Sequence, residues 1–289
     1  MELSVTRKCI PLLKKKARMK ELSFTISDNT EIRGKMLSPV GACRGLIILV
    51  HGIGEHFGRY MKWASRFTTG GYAVYGADLP GHGLSGGKRG HISSYNNVDE
   101  IIDKLISYGK KDFPDAPVVL YGHSLGGGIA LRYLLRRQPE ICCAIVTSPW
   151  LRLSFDPPKL KVVLARAVKS IVPSFVQPSG LIVSHISRDQ EVVKEYQTDP
   201  LVHDLISVSL FNEAMTTAEY CLQNASLLSV PLLLMHGSGD KICSPEGSVQ
   251  FAGSSPNVDL KIWDGGFHEL HNDIIKDEVF GFITGWLAR

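Results

Sequence analysis

Val118-Val119-Leu120-Tyr121 is followed by Gly122-His123-Ser124-Leu125-Gly126 and then by Gly127-Gly128-Ile129-Ala130-Leu131-Arg132-Tyr133-Leu134-Leu135. The first segment is an apolar run of strand type, and the last has the composition of a helix. Gly-x-Ser-x-Gly lies between them. A strand, a sharp turn carrying a serine and a helix together form the context of a nucleophile elbow. The glycines let strand and helix approach where side chains would not fit. A glycine-rich turn with an incidental serine would match the same pentapeptide, so the rest of the chain has to decide.

The chain has 289 residues, a length that by itself suggests about two domains. It is 44% hydrophobic and 21% charged, as expected of a folded globular protein with a full core. The formal net charge of +4, from 32 basic and 28 acidic residues, is too mild to argue for nucleic acid. Part of the excess lies in Lys14-Lys15-Lys16-Ala17-Arg18, within a basic N-terminal arm at 1–20. That arm reads as a solvated segment, with weak attraction to anionic lipid headgroups as the functional alternative.

The cysteines are Cys9, Cys43, Cys142, Cys143, Cys221 and Cys243, with no Cys-x-x-Cys pair. They read as small apolar residues of a reduced, intracellular chain. Cys243 reads as an ordinary buried residue or as a thiol near the site described below. Met1 to Ile10 contains no apolar stretch of secretory type, and no apolar run reaches the ~18 residues of a membrane span. The expectation is a soluble, cytoplasmic protein.

Strand-like and helix-like segments alternate. Leu22–Ile26 and Glu31–Leu37 read as a hairpin around Asp28-Asn29. Leu46–Val50 is a continuous apolar run, the pattern of a strand covered on both faces. Tyr60–Thr69 reads as helix, Tyr72–Ala77 as strand and Val98–Lys111 as helix. The elbow follows, then a strand at Ile141–Thr147. Alternation stops from about Pro149 to Leu228, where Pro157, Pro158, Pro173 and Pro178 fall among apolar helical pieces at Leu160–Val172 and Leu201–Leu222. It resumes with a strand at Pro231–Met235, a helix near Gly247, a strand at Val258–Trp263 and a helix at Ile274–Leu287. Such alternation predicts a mostly parallel sheet with helices on both faces. The interruption is too long for a loop and is expected to be a small helical subdomain. It leaves the sheet at the carboxyl ends of the strands, where open α/β sheets bind ligands.

A serine hydroxyl needs an adjacent base, and after an elbow the partners follow in the order serine, acid, histidine. His268 follows the strand ending at Trp263 and the turn Asp264-Gly265-Gly266-Phe267, with His271 as its rival. His51, His56, His82, His91 and His123 precede the serine, His185 and His203 fall in the interruption, and His236 comes before any acid in the required order. Asp240, after the turn Gly237-Ser238-Gly239, is placed to reach an imidazole in the neighbouring loop. Asp264 and Asp273 are weaker choices, being on or behind the histidine's own loop. An oxyanion hole would use the backbone N–H of Leu125 and one from His51-Gly52-Ile53-Gly54-Glu55-His56, for which Ile53 is the choice.

These motifs, together with Asp78-Leu79-Pro80-Gly81-His82-Gly83-Leu84-Ser85, resemble the monoacylglycerol lipase and lysophospholipase branch of the α/β-hydrolases. The resemblance covers the chain from about Glu21. It implies a mostly parallel eight-stranded sheet flanked by helices, with a helical cap after the sixth strand. Residues 21–150 and 229–289 would form the core, and 151–228 the cap. It also implies Ser124, Asp240 and His268 as triad and Ile53 and Leu125 as oxyanion donors. Glu55, Arg59 and His271 match polar positions near the glycerol head in relatives, and Tyr196 a lid position.

The implied chemistry is ester hydrolysis through an acyl-enzyme, with no metal or organic cofactor. Monoacylglycerols are the first expectation. A lysophospholipase, a broad carboxylesterase or a non-catalytic binding protein on the same fold are the alternatives. Leu160, Val162, Val163, Leu164 and Val168, then Leu181-Ile182-Val183 and Val208, Leu210 and Phe211, are expected either to pack the cap or to line an entrance suited to an acyl chain. A lipid or small ester is the expected partner, with transient contact between cap and membrane surface. Oligomeric state is left open.

Overall fold

The computed structural model describes residues 17–155 and 172–289. The apolar runs become the strands of one sheet. β1 (Met19–Thr25), β2 (Glu31–Leu37), β3 (Gly45–Val50), β4 (Tyr72–Ala77), β5 (Val118–His123) and β6 (Cys143–Thr147) precede the interruption. β7 (Val176–Pro178) and β8 (Leu205–Ser207) form a separate antiparallel pair inside it, and β9 (Leu232–Gly237) and β10 (Val258–Trp263) return to the sheet. The eight-stranded order is β1-β2-β4-β3-β5-β6-β9-β10. β2 pairs antiparallel with both neighbours, and every other pairing is parallel.

Every residue of β3, β5 and β9 is buried, as a strand sandwiched between helix layers requires. The two-residue period then sends alternate side chains to different layers. Leu46, Ile48 and Val50 join one core with Val98, Ile101, Ile102 and Leu105 of α2 (Tyr95–Asp112) and with Ile129 and Leu131 of α3 (Leu125–Arg137). Ile47 and Leu49 join the other, with Trp63 and Phe67 of α1 (Met61–Thr69) and Val279 and Ile283 of the C-terminal helix. The mostly parallel sheet flanked by helices is thus present.

The interruption departs from its expected content. The apolar piece Leu160–Val172 lies almost wholly outside the described residues. A helix absent from the sequence reading, α4 (Gln190–Thr198), starts where Asp189 Oδ1 accepts the Glu191 N–H at 3.2 Å. The stretch read as one helix from Leu201 divides: Leu205–Ser207 pairs with Val176–Pro178, and α5 runs only over Val208–Asn224. Ser207 is the cause. Its N–H is held by Gly90 O at 2.7 Å, and its Oγ caps α5 by accepting the Leu210 N–H at 3.1 Å. α6 (Pro245–Gly253) and α7 (Lys276–Leu287) complete the helices. At the other end, β1 begins at Met19, inside the stretch assigned to the basic arm. Met19 and Lys20 are recruited by ladder pairing with Leu37 and Met36 although their side chains stay exposed.

Candidate active site

Ser124 stands between β5 and α3 at φ 54° and ψ −119°, a backbone region that residues other than glycine rarely occupy. Its neighbours permit this. A side chain on Gly122 would come within 2.6 Å of Gly126 O, and one on Gly126 would collide with the carbonyls of Val50 and His51. The turn is held from β6: the Ser124 N–H donates to Thr147 O at 3.0 Å, and Ser124 O accepts the Trp150 N–H at 2.9 Å. The strand–turn–helix reading of the motif is therefore correct.

The structure brings Ser124, Asp240 and His268 together. Ser124 Oγ lies 2.9 Å from His268 Nε2, and His268 Nδ1 lies 2.7 Å from Asp240 Oδ2. A carboxylate only accepts, so Nδ1 carries the proton and Nε2 is free to take one from the serine. All three side chains are buried. Burial would lower the His268 imidazole, but the Asp240 charge and hydrogen bond, followed by the charges of Glu269 and Glu55, raise it above its ordinary value. Burial would raise the Asp240 carboxyl, yet His268 and the hydrogen bonds from His236 and His268 hold it well below the carboxylate range. The N–H groups of Ile242 and Cys243 donate to Asp240 Oδ1 at 2.8 and 3.0 Å. Cys243 itself is fully buried, and desolvation, then the Asp240 charge, push its thiol well up.

The loop after β3 presses on the serine. A side chain on Gly52 would stand 2.8 Å from Glu55 Oε1 and 3.2 Å from Ser124 Cβ, so it would displace one or the other. His51 Nδ1–H donates to Gly52 O at 2.8 Å, and the Gly52 N–H donates to Glu55 Oε1 at 2.7 Å. Ile53 follows directly and faces the same cavity as Ser124, and Leu125 is the first residue of α3.

That cavity measures about 440 Å³, with Ser124 and His268 on its wall. Trp150, Leu153, Leu181, Ile182, Phe211 and Ile242 make most of the wall apolar, while Glu55, Glu269 and Tyr196 form one polar cluster around Arg59, and Gln177, Ser179, His185 and Lys241 add further polar groups. Of the residues expected at a glycerol head, Glu55 lines the cavity, whereas Arg59 and His271 are absent from its lining; Tyr196, expected at a lid position, lines it too. Arg59 Nη1 donates at 2.6 Å to both Glu55 and Glu269, Nη2 donates to Glu269 at 2.7 Å, and the guanidinium lies 4.6 Å from the Tyr196 ring centre. Burial raises the Glu55 carboxyl. It would also raise Glu269, but Arg59 overrides it there and holds the group low. His271 stacks on Tyr60, ring centres 4.6 Å apart, and meets His123 at 4.9 Å. It serves as packing for the wall because its ring fits the aromatic cluster behind Ser124. Glu269 was missed by the sequence reading. Adjacency to His268 was its one signal, and its partner Arg59 is 210 residues away.

The serine aminopeptidase S33 family pattern matches residues 41–275. The chain is 36% identical over 249 residues to an uncharacterized abhydrolase domain-containing protein of Dictyostelium discoideum, spanning 84% of this chain but 26% of that protein. It is 32% identical over 248 residues to a monoacylglycerol lipase of Mycolicibacterium smegmatis, spanning 85% of this chain and 88% of that one. The crystal structure of Paleococcus ferrophilus monoacylglycerol lipase superposes with a TM-score of 0.80 at 33% identity, over 93% of this chain and 98% of that one. A serine, histidine and aspartate in hydrogen-bonded sequence at the end of a parallel sheet, within a family-wide match, make this chain a serine hydrolase of the S33 family, on the monoacylglycerol lipase and lysophospholipase branch of the α/β-hydrolases.

Proposed function

We propose that the chain hydrolyses long-chain carboxylic esters, monoacylglycerols foremost, to fatty acid and glycerol. Ser124 Oγ attacks the ester carbonyl while His268 Nε2 takes its proton, and Asp240 stabilises the resulting imidazolium. The N–H groups of Ile53 and Leu125 receive the oxyanion, each worth ~3–4 kcal/mol of transition-state stabilisation. His268 then protonates the leaving alcohol. Water, deprotonated by His268, attacks the acyl-enzyme, the bond from the acyl carbon to Ser124 Oγ breaks, His268 returns the proton to Oγ, and the carboxylic acid leaves. The carrying observation is the Ser124–His268–Asp240 chain opening into a mostly apolar cavity that also holds the polar cluster of Glu55, Glu269 and Tyr196. An acyl chain suits the apolar wall at ~0.8 kcal/mol per buried methylene, and a polyol suits Glu55, Tyr196 and Glu269. Relatives named monoacylglycerol lipase support the same reading.

Residues 151–228 serve in this reading as a cap over a core made of 21–150 and 229–289. No helix among the described residues is long and apolar enough to cross a membrane. Phe155, Phe175 and Ile182, all in the cap, are nevertheless 49%, 53% and 56% exposed, and we assign them to transient contact with a lipid surface. The test compares monoolein, lysophosphatidylcholine and a short acetyl ester, alongside covalent labelling by a fluorophosphonate. Monoolein should be the best substrate, and Ser124→Ala should abolish both labelling and turnover. Turnover of the acetyl ester alone would refute the substrate, and labelling that survives Ser124→Ala would refute the nucleophile.

A further inference from the structure

His236 plays no part in the proton transfers above, yet it sits on the same carboxylate as His268. It is the fifth residue of β9, on the face shared with Leu232 and Leu234, and it is fully buried. Its Nε2 lies 3.1 Å from Asp240 Oδ2 and 3.0 Å from Cys243 O. Both partners are acceptors, so Nε2 carries the proton and donates to them. Its Nδ1 must then accept, and the hydroxyl of Ser248, buried on α6, stands 2.8 Å away to donate. The tautomer is thus set by Asp240 and the Cys243 carbonyl, and the Ser248 hydroxyl, turned to donate, holds the other side of the ring.

The consequence falls on Asp240. Oδ1 takes the N–H groups of Ile242 and Cys243, and Oδ2 takes His268 and His236. A carboxylate offers about four lone-pair sites, so each is filled and the group has no freedom to turn. We propose that His236, itself locked by Ser248, is a positioning residue for the triad acid: it fixes the Asp240 carboxylate and draws off part of its charge, so that His268 feels a single, oriented acceptor. This rests on the reading of Ser124, Asp240 and His268 as the triad. The ionisable groups that face this chain of contacts are Cys243 against Asp240, and Glu269, Glu55, His123, whose ring centre lies 4.9 Å away, and His271 against His268. None of them stands between His236 and Asp240.

The test is the pH profile of kcat/KM for ester hydrolysis in full-length protein, with rates normalised to sites titrated by a fluorophosphonate. His236→Phe keeps the ring and removes both nitrogens. Losing one hydrogen bond to a buried charge should lower kcat about ten- to a hundredfold with KM little changed. The undivided Asp240 charge should also raise the His268 imidazole, moving the acid limb to higher pH. His236→Gln, whose amide N–H reaches the same side of Asp240, should restore most of kcat and return the limb. Ser248→Ala, which leaves Nδ1 without its donor and the ring free to tilt, should move both readouts in the same direction by less, and it carries the test if His236→Phe fails to fold. An acid limb that stays in place in His236→Phe and Ser248→Ala, with loss of rate matching only the loss of titrated sites, would overturn the proposal. Failure of the triad reading itself would look different: wild-type protein would then give no Ser124-dependent labelling at all.

Discussion

His271→Phe tests the electrostatics of the wall behind Ser124. The phenyl ring keeps the stack on Tyr60 and the edge contact with His123, so packing changes little. What it removes is a titration. Burial first, then the charges of Arg59 and His268, lower the His271 imidazole to about 3, against an ordinary value near 6.5. Between about pH 6.5 and 3 the unfolded chain binds a proton at this position and the folded chain does not. Stability from this group is therefore intact above about pH 6.5 and is lost as pH falls through that window. From pH 7 to pH 5 the loss covers ~1.5 pH units at ~1.36 kcal/mol each, or about 2 kcal/mol. The phenylalanine variant has no such term, and the other buried histidines contribute alike to both proteins. Urea unfolding followed by tryptophan fluorescence at pH 7 and pH 5 measures it: wild type should lose about 2 kcal/mol more than His271→Phe over that interval. Equal losses would refute the claim that His271 is held neutral by burial.

The rise in the His268 imidazole places the acid limb of kcat/KM above pH ~6.5, and because Glu269 is one of the charges raising it, Glu269→Gln should shift that limb to lower pH. A limb that stays put in Glu269→Gln would show that this carboxylate acts on the wall alone. Ser124 at φ 54° stores backbone strain that glycine would relieve, so Ser124→Gly should unfold about 1 kcal/mol later than Ser124→Ala, both being inactive. Equal unfolding midpoints for the two variants would remove strain from the account of the elbow.

What the sequence made legible was local. β4 begins and ends where its apolar run does, because a strand buried between helix layers leaves little room for polar residues, and β10, an edge strand, is marked instead by the alternation Val258-Asp259-Leu260-Lys261-Ile262-Trp263. The elbow was legible for a similar reason: its glycines are demanded by backbone contacts within a few residues or by the adjoining strand. Asp240 and His268 followed from chain order, a rule about loops at neighbouring strand ends. The rule that found His268 also set His236 aside, since it asks which histidine follows the acid and never which one holds it. Arg59 with Glu269, His56 with Asp199 and His271 with Tyr60 each depend on partners more than a hundred residues away in the chain. No period or spacing carries that information. Leu201–Leu222 failed differently, because its apolar spacing was real but Ser207 and the pairing with Val176–Pro178 outweighed it.

Those long-range pairs also bear on what the interruption does. The loop after β3, which supplies Ile53, is held from the sheet side by His51 Nε2, which accepts the Leu79 N–H at 2.9 Å. It is held from the other side by residues between β6 and β9. The His203 N–H donates to Gly54 O at 2.9 Å, His56 Nε2–H donates to Asp199 Oδ2 at 2.9 Å, and Tyr196 lies over Arg59. Gly54 takes φ 72° between these anchors, a conformation that the clamp from His203 fixes on a residue otherwise free to leave it. An oxyanion donor must be in place before charge develops, and a loop pinned at Gly54 on one side and Gly52 on the other meets that demand. Under the proposed function, the stretch from Tyr196 to His203 therefore holds the loop that carries the proposed oxyanion donor, so substitutions at Asp199 or His203 should lower the rate of ester hydrolysis.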